Sequence, residues 1–77
     1  MADSNLNLRI GLTINRLRKK RGISQKEISA KLGLSRPVMW AIEKGKRSIK
    51  VDELFVLAEV LDTSANGLLE MTIFRLM

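Results

Sequence analysis

Five short helices in an all-α domain are what this sequence predicts, and three observations predict them. Apolar residues recur at spacings of three and four, serines that can cap a helix stand before such patterns at residues 24, 35 and 64, and glycines close them at 22, 33 and 45. The first element needs an argument, because Leu6, Leu8, Ile10, Leu12 and Ile14 alternate as a strand would. No partner strand or hairpin signal follows, and Ile10, Ile14 and Leu17 continue at helical spacing, so helix one is expected from about Leu6. Residues Met1 to Asn5 are polar and expected to fray. Arg18, Lys19, Lys20 and Arg21 crowd the last turn before Gly22, where cations suit the negative end of the helix dipole. For Lys19, Lys20 and Arg21 a solvated helix end and an anion contact explain the charges equally well.

The second and third elements lie in SQKEISAKLGLSRPVMWAIEKG, residues 24–45. Ser24 with Glu27 three residues later matches a capping box, and Ile28 and Leu32 fall one turn apart on one face. Gly33 can take the left-handed conformation that ends a helix, and Ser35 caps the next only two residues on. Pro37 falls in the first turn of that next helix, where a missing N–H costs little. Ile28, Leu32, Leu34, Met39 and Ile42 then form one apolar wedge between the two helices. Helix four follows the basic loop of Lys46 and Arg47, with Val51, Leu54, Leu57, Ala58 and Leu61 inward and Asp52 and Glu53 in its first turn. Lys50 is a poor N-cap, so its start is expected to shift by a residue or two. Helix five is expected from Ala65 to about Glu70, capped by Ser64; Gly67 weakens it by about 1 kcal/mol relative to alanine, so Leu68 and Leu69 must hold it by packing. The tail, MTIFRLM at 71–77, is helix or strand on its propensities and too apolar to stay uncovered. Leu69, Met71, Ile73, Phe74 and Leu76 are expected to pair with a second copy, the alternative being that the tail covers its own core.

Seventy-seven residues make one domain, here a core of residues 6–70 and the tail, too small for a large enzyme cleft. A net charge of +6 favours an anionic partner, nucleic acid foremost. Without cysteine or histidine there are no disulfides, thiol nucleophiles or usual zinc ligands; no metal or cofactor is expected. No nucleophile–base pair or phosphate-cradling glycine loop suggests an enzyme. No apolar run is long enough to span a bilayer, and the start lacks the layout of a secretory signal, so the cytoplasm is the expected location.

SQ at 24–25, a small residue at 29, LGLS at 32–35, apolar residues at 39 and 42, and EKGKR at 43–47 together resemble the helix-turn-helix of the lambda-repressor-like family, the Cro and C1 repressor type also called XRE. The resemblance spans roughly residues 8 to 70; Ser29 departs from the family's usual alanine and is still small enough for close helix approach. It implies that helix three enters the major groove of double-stranded DNA while helix two crosses the backbone. On helix three the face away from Met39 and Ile42 carries Arg36, Pro37, Trp40 and Ala41, with Val38 at its edge. Arg36 suits guanine O6 and N7, and Pro37, Val38 and Ala41 offer apolar contact to thymine methyls. Ser35 and Trp40 are expected at the DNA backbone, the alternative for Trp40 being half-buried packing. The family resemblance adds Gln25, Lys46 and Arg47 as backbone contacts, with Arg16 and Lys26 weaker candidates, and pairs Arg18 with Glu43 as a structural ion pair. The expected function is a sequence-specific transcriptional regulator, a repressor-type dimer on a pseudo-palindromic operator, such as a phage or prophage repressor, a restriction-modification controller or a small bacterial regulator. The alternative is an antitoxin whose tail meets a toxin; RNA polymerase is a further expected contact.

Overall fold

The computed structural model describes the backbone of residues 2–74 and the side chains of residues 6–73. Five helices follow one another: α1 (Ala2–Lys20), α2 (Gln25–Leu32), α3 (Arg36–Glu43), α4 (Val51–Val60) and α5 (Ala65–Phe74). Helix α1 packs on α3 and α5, α2 on α3 and α4, and α4 on α5. Their shared core is Ile10 and Ile14 from α1, Ile28 from α2, Met39 and Ile42 from α3, Leu57, Leu61 just past α4, and Leu68 from α5. Each such side chain contributes about 1.5–3 kcal/mol by leaving water. Leu32 and Leu34 pack against this cluster half-buried, completing the wedge between α2 and α3.

Three boundaries differ from the sequence expectation. Helix α1 already includes Ala2 to Asn5, which were expected to fray; a first helical turn needs no N–H partners within the helix, so the polarity of these residue types does not bar it. Of the alternating apolar residues, Ile10 and Ile14 are buried and Leu6, Leu8 and Leu12 are exposed, the division a helix imposes and a strand does not. Helix α4 starts at Val51 without a shift: the Lys50 side chain caps nothing, but the Glu53 carboxylate reaches back to accept the Lys50 backbone N–H at 2.9 Å. Helix α5 continues four residues past Glu70 because Leu68 and Thr72, one turn apart, are both buried. The Thr72 hydroxyl lies 3.0 Å from the Thr13 hydroxyl and 2.9 Å from the Leu68 carbonyl, while Thr13 donates to the Arg9 carbonyl at 3.0 Å. The start of the tail is therefore helix, and its inner face is spent on α1.

One glycine sets how α1 meets α3. A Cβ on Gly11, in the middle of α1, would stand 2.5 Å from the carbonyl oxygens of both Ile42 and Glu43, so only hydrogen fits between the two backbones. That contact holds the C-terminal end of α3 against α1.

Candidate nucleic-acid interface

The helix–turn–helix is built by local hydrogen bonds at both sides of a three-residue turn. Ser24 Oγ accepts the Glu27 N–H at 3.0 Å, and Ser35 Oγ accepts the Val38 N–H at 3.4 Å. Between them Gly33 adopts φ 68°, and the N–H groups of Gly33 and Leu34 close on the Ala30 and Ser29 carbonyls at 3.1 and 2.9 Å. A side chain at Gly33 would strain this turn. Ser29 is buried and donates to the Gln25 carbonyl, so its hydroxyl is satisfied within α2.

Helix α3 presents the face the sequence assigned to it. Ser35, Arg36, Pro37 and Trp40 are exposed, Ala41 and Val38 are half-buried, and Val38 also packs against the core. Trp40 keeps 45% of its surface open, too much for a packing role alone. Met39, Ile42 and Glu43 fill the opposite side.

Behind α3 a buried polar network fixes its angle. Arg18 Nε donates to Glu43 Oε2 at 2.7 Å and Nη2 to Oε1 at 3.2 Å, with the two side chains 11% and 1% exposed. Oε1 also accepts from Asn15 Nδ2 at 2.8 Å and from Gln25 Nε2 at 3.1 Å, and Arg18 Nη1 donates to the Ile23 carbonyl at 2.9 Å. One carboxylate thus joins α1, α2 and α3. Burial by itself would raise the Glu43 pKa; the hydrogen bonds from Arg18, Asn15 and Gln25 outweigh it and hold the carboxyl below its usual value. The role of this glutamate is architectural. Asn15 was not anticipated, and Gln25, expected at the DNA backbone, directs its amide nitrogen to Glu43; only the spacing Arg18–Asn15 on one face of α1 hinted at the former.

A second ion pair, unforeseen in the sequence, braces the loop after α3. Arg47 Nη1 and Nη2 donate to Glu53 Oε1 and Oε2 at 2.8 and 3.0 Å, and Nη1 also donates to the Ser48 carbonyl at 3.1 Å. The hydrogen bond from Arg47 lowers the Glu53 pKa, burial opposing it, and the same contact raises that of Arg47. Lys46 is exposed, as are Lys44 and Lys50. The residues expected to pair with a second copy are split: Leu69 and Met71 are half-buried, Ile73 is 48% exposed, and the Phe74 side chain and Leu76 lie outside the described residues. Val51, expected inward, is instead 72% exposed, because at the first position of α4 it shares a face with Phe55 one turn on; with Phe55 and Val56 it makes a second exposed apolar group.

A family model described as helix-turn-helix matches residues 14–68, which contain α2, the turn and α3 entire. The chain belongs to the helix-turn-helix family. It is 34% identical over 55 residues, 71% of each chain, to an uncharacterised HTH-type transcriptional regulator of Sinorhizobium fredii. In three dimensions this helix-turn-helix protein is similar to the restriction-modification controller protein C.AhdI of Aeromonas hydrophila, with 28% identity, a TM-score of 0.75 and coverage of 88% of this chain and 98% of that one. The controller protein C.Esp1396I, solved as a tetramer with its natural 35 base-pair operator, matches with 25% identity, a TM-score of 0.76 and coverage of 88% and 90%. The clp gene regulator ClgR of Corynebacterium glutamicum shares the fold, with a TM-score of 0.83 at 18% identity over 87% of this chain and 71% of that one. The function of this helix-turn-helix protein is that of a DNA-binding transcription regulator.

Proposed function

We propose that this chain is a sequence-specific, operator-binding regulator of the repressor type, acting as a homodimer that places two copies of α3 in successive major grooves. The observation that carries it is the face of α3: an exposed arginine at its N-terminal end, small and apolar residues beyond it, and a rigid buried network behind. Arg36 reads a guanine; Pro37, Ala41 and the edge of Val38 meet neighbouring thymine methyls. The start of α2 at Gln25, the Ser35 hydroxyl, the Trp40 indole and the Lys44–Lys50 loop face phosphates. The operator-bound oligomer of C.Esp1396I and the restriction-modification role of both controllers support this reading and favour a controller-type regulator.

Titration of a duplex over a salt series tests it. If about six phosphates are neutralised, log affinity falls against log salt with a slope of about −0.9 per contact. A slope near zero removes nucleic acid as the partner. Sites selected from a random duplex library then give the operator and show whether it is a repeat of two inverted halves about one DNA turn apart.

A further inference from the structure

The loop between α3 and α4 alternates strictly. Lys44, Lys46, Ser48 and Lys50 are exposed, while Gly45, Arg47 and Ile49 turn inward and are half-buried. A seven-residue strap with an outward lysine at three of four exposed positions and its only arginine pointing in differs from a loop whose basic residues are all available. The inward set is held at both ends. On the α3 side, the N–H groups of Lys44, Gly45 and Lys46 close on the carbonyls of Trp40, Ile42 and Ala41 at 3.0, 3.1 and 2.8 Å. On the α4 side, Glu53 Oε1 accepts both the Lys50 N–H at 2.9 Å and Arg47 Nη1 at 2.8 Å. Ile49 packs against the core between them.

Arg47 is largely committed. Three of its five N–H donors are taken, two by Glu53 and one by the Ser48 carbonyl, so its end-on fork is filled by a carboxylate and only the Nε side stays open. The pair is also neutral as a whole, so a polyanion gains little from it. The lysines differ: in the described structure none of Lys44, Lys46 and Lys50 enters a side-chain ion pair. Two other titratable side chains stand at this junction: Asp52 accepts the Glu53 N–H at 3.0 Å, and the Lys50 charge acts on the Glu53 carboxylate without a direct bond to it.

We infer that Arg47 is a positioning residue rather than a DNA contact: clamped by Glu53, it fixes the path of the strap so that Lys44, Lys46 and Lys50 grip the phosphates beside α3. This rests on the DNA-binding reading above and names which groups of the loop do the binding.

The test compares wild type with Glu53→Gln, Arg47→Lys and Lys46→Gln on one duplex over a salt series, with helicity and melting of each free protein followed by circular dichroism. Glu53→Gln is the deciding variant, because it frees Arg47 and makes the protein more positive. The brace requires that its DNA affinity nevertheless falls, by about tenfold, with no steeper salt slope; an affinity unchanged or raised, or a slope steeper by about 0.9, overturns it. Arg47→Lys keeps the charge but loses the fork, so both its melting temperature and its affinity fall; wild-type values for both overturn the brace. Lys46→Gln leaves the melting temperature unchanged and makes the slope shallower by about 0.9, and an unchanged slope removes the lysine grip. Salt-independent binding by the wild type would instead overturn the DNA-binding reading itself, and with it the lysine grip, whatever the variants do.

Discussion

Removing the guanidinium of Arg18 while keeping Glu43 tests the physical logic of this domain most directly. In Arg18→Met the apolar stem is kept, but Glu43 loses the bonds of 2.7 and 3.2 Å and the Ile23 carbonyl loses its donor at 2.9 Å. The carboxylate, 1% exposed, is left with Asn15 and Gln25 alone, two neutral amides that cannot balance its charge. Stranding one member of a buried pair costs about 3–5 kcal/mol. Stability of about 0.05–0.15 kcal/mol per residue puts a domain of this length at roughly 4–12 kcal/mol in total, so the variant keeps a small margin or none. The pH dependence distinguishes charge from shape. In the wild type the Glu43 pKa is depressed, so its stabilisation is fully present above the ordinary value of 4.5 and is lost as pH falls through the lower folded value. Without Arg18, burial raises that pKa; the neutral form is then favoured, and stability is lost as pH rises through the raised value. The gap between the two proteins should therefore be widest at neutral pH and narrow as pH falls toward 4.5, as urea unfolding at a series of pH values would measure. Arg18→Met with Glu43→Leu should recover most of the loss. A single variant that loses under about 1 kcal/mol at neutral pH, or a gap that does not change with pH, refutes the claim that this pair is a buried charge network.

Three further outcomes follow from the same contacts. Arg36→Ala should cost about 1–3 kcal/mol on the selected operator and relax preference at one base position in each half-site, measured by competition between duplexes; equal losses on operator and random DNA would make Arg36 a phosphate contact. Gly11→Ala gains about 1 kcal/mol of helix propensity yet should destabilise by about 1–3 kcal/mol net, since its methyl meets two backbone carbonyls at 2.5 Å; a raised melting temperature would show that α1 and α3 can move apart. For the dimer, Ile73→Ser and Phe55→Ser remove side chains 48% and 61% exposed, so neither should unfold the monomer. Sedimentation equilibrium assigns the interface to whichever change weakens association, and a wild type that stays monomeric at micromolar concentration would leave each copy to bind its half-site alone.

Sequence alone determined the helices and the face that α3 turns outward. Caps at Ser24 and Ser35, the stop at Gly33 and the spacing of Ile28, Met39 and Ile42 are interactions over three or four residues, which the chain encodes locally. The Arg18–Glu43 pair spans 25 positions and was legible only through likeness to a family, because nothing local singles out its two members. Docking decided the rest. Helix α5 ran on to Phe74 because Thr72 meets Thr13 across 59 positions, a contact that no propensity of the tail contains. Gly11 reads as a weak point in α1 until the carbonyls of Ile42 and Glu43 arrive beside it. Arg47 reads as one more basic residue in a basic loop, and only the first turn of α4, folding back to put Glu53 under its guanidinium, separates it from Lys46 beside it. Charge in a sequence is a count; which charges remain free for a partner is set by the neighbours that tertiary structure supplies.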